Sequence, residues 1–216
     1  MRFGLFLLAL LSACGPLASL PDAAEPMDSG VSDAGVIDAG EPDPYADAVT
    51  RFEPGEGAGF GQERMPGVVL GPPSGAGNTA GSTDVVSLGR SGVIELEFTD
   101  FLAIDGPGVD LLVFENGFNG FFEQGDVAVS EDGVQWHDFV CDGGCAGLHP
   151  VSANPSKGIS ATDPSVAGGD GFDLADVGLT RVRFVRITDT GHNTFYGPPG
   201  GGFDLDAVAI VNGQLP

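Results

Sequence analysis

Apolar residues in this chain fall in short runs, without the three-to-four spacing of an amphipathic helix. In "VIELEF", Ile94, Leu96 and Phe98 alternate with Glu95 and Glu97, which predicts a strand with one buried face. Comparable runs are "DVVSL" at 84–88, "GVIELEF" at 92–98, "DLLVFE" at 110–115 and "DVAVS" at 126–130. Three more follow: "VQWHDFV" at 134–140, "RVRFVRITD" at 181–189 and "FDLDAVAIV" at 203–211. The "DLLVF" run is apolar on both faces, as a central strand of a packed sheet would be. Turns rich in Gly, Pro and Asp separate the runs, so the pattern predicts an all-β fold, an antiparallel β-sandwich over residues 45–216. The Gly-rich stretches 71–83 and 141–172 are too long for hairpin turns. They are expected to gather at the ends of the sandwich, where binding loops usually lie.

The N-terminus follows another pattern. Arg2 precedes an apolar run from Phe3 to Leu11, too short to span a bilayer and of the length of a secretion signal. The run closes on Leu11-Ser12-Ala13-Cys14, which resembles the lipobox of bacterial lipoproteins. That resemblance implies a signal peptide over 1–13 and a lipid-modified Cys14 that anchors the chain to a membrane of the cell envelope. Gly15, rather than Asp, after the cysteine implies the outer membrane by the same analogy. Residues 14–44 are acidic and rich in Ala, Gly, Asp and Pro, and "DSGVSDAGVIDAGEPD" within them is a loose repeat with almost no large apolar side chain. Such a stretch cannot offset its ordering entropy, and a disordered, extended tether is expected. Its Asp-Ala-Gly composition resembles the spacers of myxobacterial lipoproteins.

Charge then narrows the partners. Thirty-one acids against eight Lys and Arg give a net charge of −23, hostile to nucleic acid and to anionic lipid surfaces. Of the three cysteines, Cys14 is assigned to the lipid, leaving Cys141 and Cys145 in "CDGGCAG". In an exported chain this pair is expected to form a small-loop disulfide; a metal site and two free thiols are the alternatives.

Longer motifs carry a family resemblance. "VSEDGVQWHDF" resembles the strand–turn–strand of discoidin-type, galactose-binding-like jelly-roll domains, with Asp132-Gly133 at the turn and Trp136 as a core residue. "YADAV", "DVVSLG", "DGPGVDLLVFENGF", "GGDGFDLADVGL", "VRFVRITD" and "GGFDLDAV" together resemble a family of secreted bacterial cell-surface proteins of unknown function. The resemblance covers most of 45–216 and implies a jelly roll that binds carbohydrate, while saying little about activity.

The run "GGFDLDAVAIV" poses the chemical question. Strand alternation places Asp204 and Asp206 on the face of Val208 and Ile210, where a lone charge is costly without a partner. Bases are scarce, so a cation is the natural candidate. In sugar-binding jelly rolls an acid on the terminal strand helps hold a structural calcium ion, and the resemblance implies that role for Asp206. Asp204, Asp110, Glu115 and Asp170 are the further oxygen donors expected to join it. Turn capping by Asp is the competing explanation, and no EF-hand spacing is present.

Catalytic motifs are thin: there is no Gly-x-Ser-x-Gly elbow and no phosphate loop, and no histidine sits in a motif that pairs it with a nucleophile. Aromatic side chains in two loop-like segments, Phe121 and Phe122 in "NGFNGFFEQG" and His192, Phe195 and Tyr196 in "TGHNTFYGPPG", could stack on a sugar or tuck over the sandwich edge. The expected function is a noncatalytic envelope lipoprotein binding a glycan or surface polymer. A module binding a protein partner is the alternative, and a polysaccharide hydrolase follows behind it.

Overall fold

The computed structural model describes residues 41–118, 120–141 and 143–216. The expected signal peptide, Cys14 and the tether as far as residue 40 lie outside the described residues.

Twelve strands form along the described chain: β1 (Ala48–Glu53), β2 (Val86–Ser87), β3 (Val93–Glu97), β4 (Leu102–Ile104), β5 (Leu111–Glu115) and β6 (Gly125–Ser130). They continue as β7 (His137–Asp138), β8 (Asp170–Phe172), β9 (Arg181–Val182), β10 (Phe184–Asp189), β11 (Asp204–Ile210) and β12 (Gly213–Gln214). An α-helical turn, Pro164–Ala167, starts at an Asp163 cap. A five-stranded sheet in the order β1-β3-β10-β6-β7 faces a four-stranded sheet in the order β2-β11-β5-β8, and β12-β4-β9 form a small third sheet. All pairings are antiparallel. The fold is an antiparallel β-sandwich.

Alternation builds the core between the two large sheets. Ile94 and Leu96 of β3, Val127 and Val129 of β6, and Val185 and Ile187 of β10 meet Leu111, Val113, Leu205, Val208 and Ile210 of the opposing sheet. The other face of the four-stranded sheet is also apolar, and this explains the doubly apolar "DLLVF". Leu112, Phe114, Ala207 and Ala209 pack against Val151, Ala153, Ala161 and Ala167 in a second buried cluster. The long 141–172 connection therefore crosses the outside of a sheet and buries it, rather than gathering at an end of the sandwich. A backbone bond from Gly75 N to Ala153 O draws part of 71–83 onto the same side.

Three strand expectations change. "RVRFVRITD" breaks at Arg183 into β9 and β10, which belong to different sheets. The hairpin at Asp132-Gly133 has a wide turn, because only His137 and Asp138 of "VQWHDFV" pair with β6. Trp136 is not a core residue: it is half-buried on the outer face, with the Arg186 guanidinium 4.3 Å from its ring centre.

The face assignment of "GGFDLDAV" also changes. The register of β11 against β5 shifts between Leu205 and Ala207. Val208 and Ile210 thus share the inter-sheet face with Leu205, while Ala207 and Ala209 face the outer cluster. A bulge adds one residue and reverses the alternation beyond it, so the acids do not share a face with Val208 and Ile210.

Cys141 and Cys145 are joined by a disulfide, their Cα atoms 5.4 Å apart. Cys145 is buried beneath β6, its backbone bonded to Gly125. So short a loop removes little chain entropy, and Cys145→Ser is expected to cost about 2 kcal/mol. Thermal melts of the oxidised and Cys145→Ser proteins check this; a loss above twice that figure would mean the bridge does more than close the loop.

Candidate functional site

The five acids expected to share one cation do not all meet: Glu115 and Asp204 lie side by side, and the other three hold separate partners. Asp110 and Glu115 flank opposite ends of β5, roughly 17 Å apart along an extended strand, too far for one ion. Asp110 is fully buried and already satisfied: its carboxylate accepts from Gly106 N at 2.9 Å, Leu174 N at 2.9 Å and Asn212 Nδ2 at 2.8 Å. It clamps three loops. Asp105 and Asp173 bring carboxylate oxygens within 4.8 Å of it, but its own oxygens are spent on those donors. Asp170 accepts from Leu148 N at 2.9 Å and pairs with His149 Nδ1 at 2.6 Å. Asp206, buried, accepts from Ser74 N at 3.1 Å, and burial pushes its carboxyl up to about 7.

Glu115 and Asp204, grouped in the sequence, are joined by a third acid that the sequence did not group with them. Glu115 ends β5, Asp204 opens β11 beside it, and Glu123 approaches from the loop before β6. Glu115 and Glu123 are each 1% exposed, and Glu115 Oε2, Glu123 Oε2 and Asn116 Oδ1 have no hydrogen-bond partner among the described residues. Asp204 accepts from Ser87 Oγ, and Glu123 Oε1 from Gly202 N at 3.2 Å. Burial, then the charges of Asp204, Glu123 and Asp170, push Glu115 well above the usual carboxylate range. Burial and Asp204 raise Glu123 to about 8, and burial raises Asp204 to about 6. Gly117 packs closely on the cluster: a Cβ there would stand 2.9 Å from Glu115 Oε2 and 3.2 Å from the Phe122 ring. Nothing in the sequence signalled Glu123, since only the fold carries it back to β5 and β11.

Above this cluster the two aromatic segments meet. Gln124 N donates to Asn193 Oδ1 at 2.6 Å and Asn193 Nδ2 returns a bond to Gln124 O at 3.1 Å, pinning the 116–124 loop to the 190–203 loop. Phe118 stacks on Phe121 at 5.4 Å between ring centres, and Phe121 lies 6.4 Å from Phe195. Phe122 and Phe195 are exposed at 38% and 45%, and His192 is exposed in the 190–203 loop. Tyr196 plays a different part. Its hydroxyl donates to Asp189 Oδ1 at 2.7 Å, and the Arg90 guanidinium covers its ring at 4.1 Å. It anchors the loop, and Arg90 occupies one face of its ring.

Asp189, which the sequence reading passed over, organises this end. At 1% exposure its Oδ1 accepts from Ser91 N, Gly191 N and Tyr196 Oη, and its Oδ2 from Asn193 Nδ2 and Phe203 N, all within 2.9 Å. The available signal was an Asp at a strand end two residues before a Gly, the pattern of a side-chain-capped turn.

No protein-family model matches the chain, and no curated protein matches it. Among solved structures it is similar to a chain described as CpGH89CBM32-6 produced by Clostridium perfringens, at 12% identity over 58% of this chain and 72% of that one, with a TM-score of 0.28.

Proposed function

We propose that the chain is a noncatalytic, lipid-anchored module of the cell envelope that binds a glycan or other extracellular polymer at the aromatic end of its sandwich. One observation carries this reading: loops distant in sequence bring Phe118, Phe121 and Phe195 together, with Phe122 exposed in the same loop, on a base fixed by Asp189 and Asn193. Flat apolar rings on a rigid base suit the apolar face of a sugar, with His192 at the rim as a polar partner. The raised carboxyls of Glu115 and Glu123 lie beneath the surface, out of reach of a substrate, which supports binding over hydrolysis.

A calcium ion fits the acid cluster by donor chemistry: Glu115, Glu123 and Asp204 supply carboxylate oxygens and Asn116 its amide oxygen, three of these oxygens lack a partner among the described residues, and no base stands among them. Their oxygens are not drawn to the 4.8 Å spacing found for Asp105, Asp110 and Asp173. Bound there, the ion would neutralise the buried charge and stiffen the loops carrying the aromatic surface. Asp206 and Asp170 are left with their protein partners, and Asp110 with its clamp.

A glycan array probed with the parent protein and with Phe122→Ala and Phe195→Ala tests the binding surface. Loss of one exposed anchor is expected to weaken binding about tenfold, near 1.4 kcal/mol. Binding unchanged in both variants would remove the aromatic end as the site.

A further inference from the structure

We infer a second binding surface on the outer face of the five-stranded sheet, built for an uncharged polyhydroxylated chain. It shares with the functional proposal only the class of ligand. The register lines up one cross-strand row over all five strands: Arg51 of β1, Glu95 of β3, Arg186 of β10, Ala128 of β6 and Asp138 of β7. Beside it runs Glu53, Val93, Thr188 and Asp126. At Ala128, Thr188 and Val93 the side chains are small, and a groove of about 450 Å³ opens over them between Arg51, Arg186, Asp126 and Asp138. Four strand gaps make the row roughly 19 Å long, which suits an extended chain better than a single ring.

Arg186 gives the groove its chemistry. Its neighbours Glu95 and Asp138 stand 3.8 Å and 3.7 Å away, beyond hydrogen-bonding distance, and its guanidinium makes no hydrogen bond among the described residues. A cation–π contact with Trp136 holds the guanidinium 4.3 Å from the ring centre and leaves its N–H donors unspent. Arg51, by contrast, is committed to Glu95 at 3.1 Å and Glu53 at 2.8 Å. An anionic ligand would meet Asp126, Asp138 and Glu95, and a cationic one would meet Arg51 and Arg186. A hydroxyl can accept from Arg186 while donating to a neighbouring carboxylate, so alternating donors and acceptors select neutral polyols.

Trp136 is the single tryptophan of the chain and lies against Arg186, so its fluorescence reports this groove and not the phenylalanine surface. The purified full chain is titrated with neutral hexasaccharides of gluco, galacto, manno and xylo configuration, with oligogalacturonate as the anionic comparator. At least one neutral hexasaccharide is expected to shift the emission saturably. Arg186→Lys, which keeps the charge but loses the planar fork, is expected to weaken that response at least tenfold. Asp138→Ala, at a rim side chain 79% exposed and so harmless to folding, is expected to weaken it severalfold. Phe122→Ala and Phe195→Ala are expected to leave it unchanged. The inference is overturned if no neutral hexasaccharide moves the emission, or if only oligogalacturonate does. It is equally overturned if both groove variants respond like the parent, or if the phenylalanine variants abolish the response. Loss of array binding in those phenylalanine variants with an intact Trp136 response separates the two surfaces.

Discussion

Asp189→Ala is expected to lower the melting temperature by roughly 10 °C, the largest effect of any single substitution considered for this chain. Its carboxylate receives five bonds, from three backbone N–H groups, a tyrosine hydroxyl and an asparagine amide, inside a buried site. Removing it strands several buried donors at once, for a loss of about 4 kcal/mol. A domain of this size converts each kcal/mol into about 2–4 °C. Tyr196→Phe deletes one of the five bonds and should cost about 1 kcal/mol, which provides an internal scale. Asp189→Asn keeps the shape but turns an amide donor toward donors already present, so it should fall between the two. Thermal melts followed by circular dichroism measure all three. An Asp189→Ala protein melting within 2 °C of the parent would refute the hub.

Without divalent ions, stability is expected to decline as pH rises from 5 to 8, and calcium to reverse the decline. Glu115, Glu123 and Asp204 all have folded-state pKa values above their unfolded ones, first through burial and then through one another's charge or that of neighbouring acids for the two glutamates. The native state therefore retains protons that the unfolded chain has released. Stability is complete below about pH 4, the unfolded range of these groups. It is lost as pH climbs through about 6 for Asp204 and about 8 for Glu123. A combined loss on the order of 3 kcal/mol corresponds to a fall of roughly 5–10 °C by pH 8. Calcium at a hundredfold excess over its dissociation constant restores about 2.7 kcal/mol, while magnesium restores little because it resists dehydration. Glu123→Gln should reduce the pH dependence, to which Asp204 and Asp206 still contribute, and weaken the calcium response. Melts in chelator and in calcium across this range decide the matter. A pH-dependent melt indifferent to calcium leaves protons alone in the cluster and removes the ion; a flat melt removes both.

Several features were legible in the sequence because they depend on local rules. Alternation in "VIELEF" set the buried face of β3, and the glycines and prolines marked the breaks between strands. The Cys141 and Cys145 spacing required only a small loop, and the disulfide forms within it. The two aromatic segments read as loops, and loops they are. Other features depend on where distant segments lie. Composition cannot reveal that 141–172 covers a sheet face, because its small apolar residues, Ala153, Ala161 and Ala167, acquire meaning only against Leu112 and Phe114.

The acids of "GGFDLDAV" mark the boundary between the two kinds of information. The chain by itself determined that carboxylates open an apolar strand and that almost no bases exist to pair with them. It could not show the bulge after Leu205, which reverses the alternation and sends Asp206 to the Ser74 amide. Nor could it show that Asp110, at one end of β5, is spent on the Gly106, Leu174 and Asn212 donors, while Glu115, at the other, has no partner for Oε2 among the described residues. Glu123 reaches Glu115 and Asp204 only because β5 and β11 pair and the loop before β6 folds back over them. Desolvation and mutual repulsion are properties of that assembled neighbourhood. A sequence specifies which groups can ionise, and the tertiary structure decides which of them must do so out of water and in each other's company.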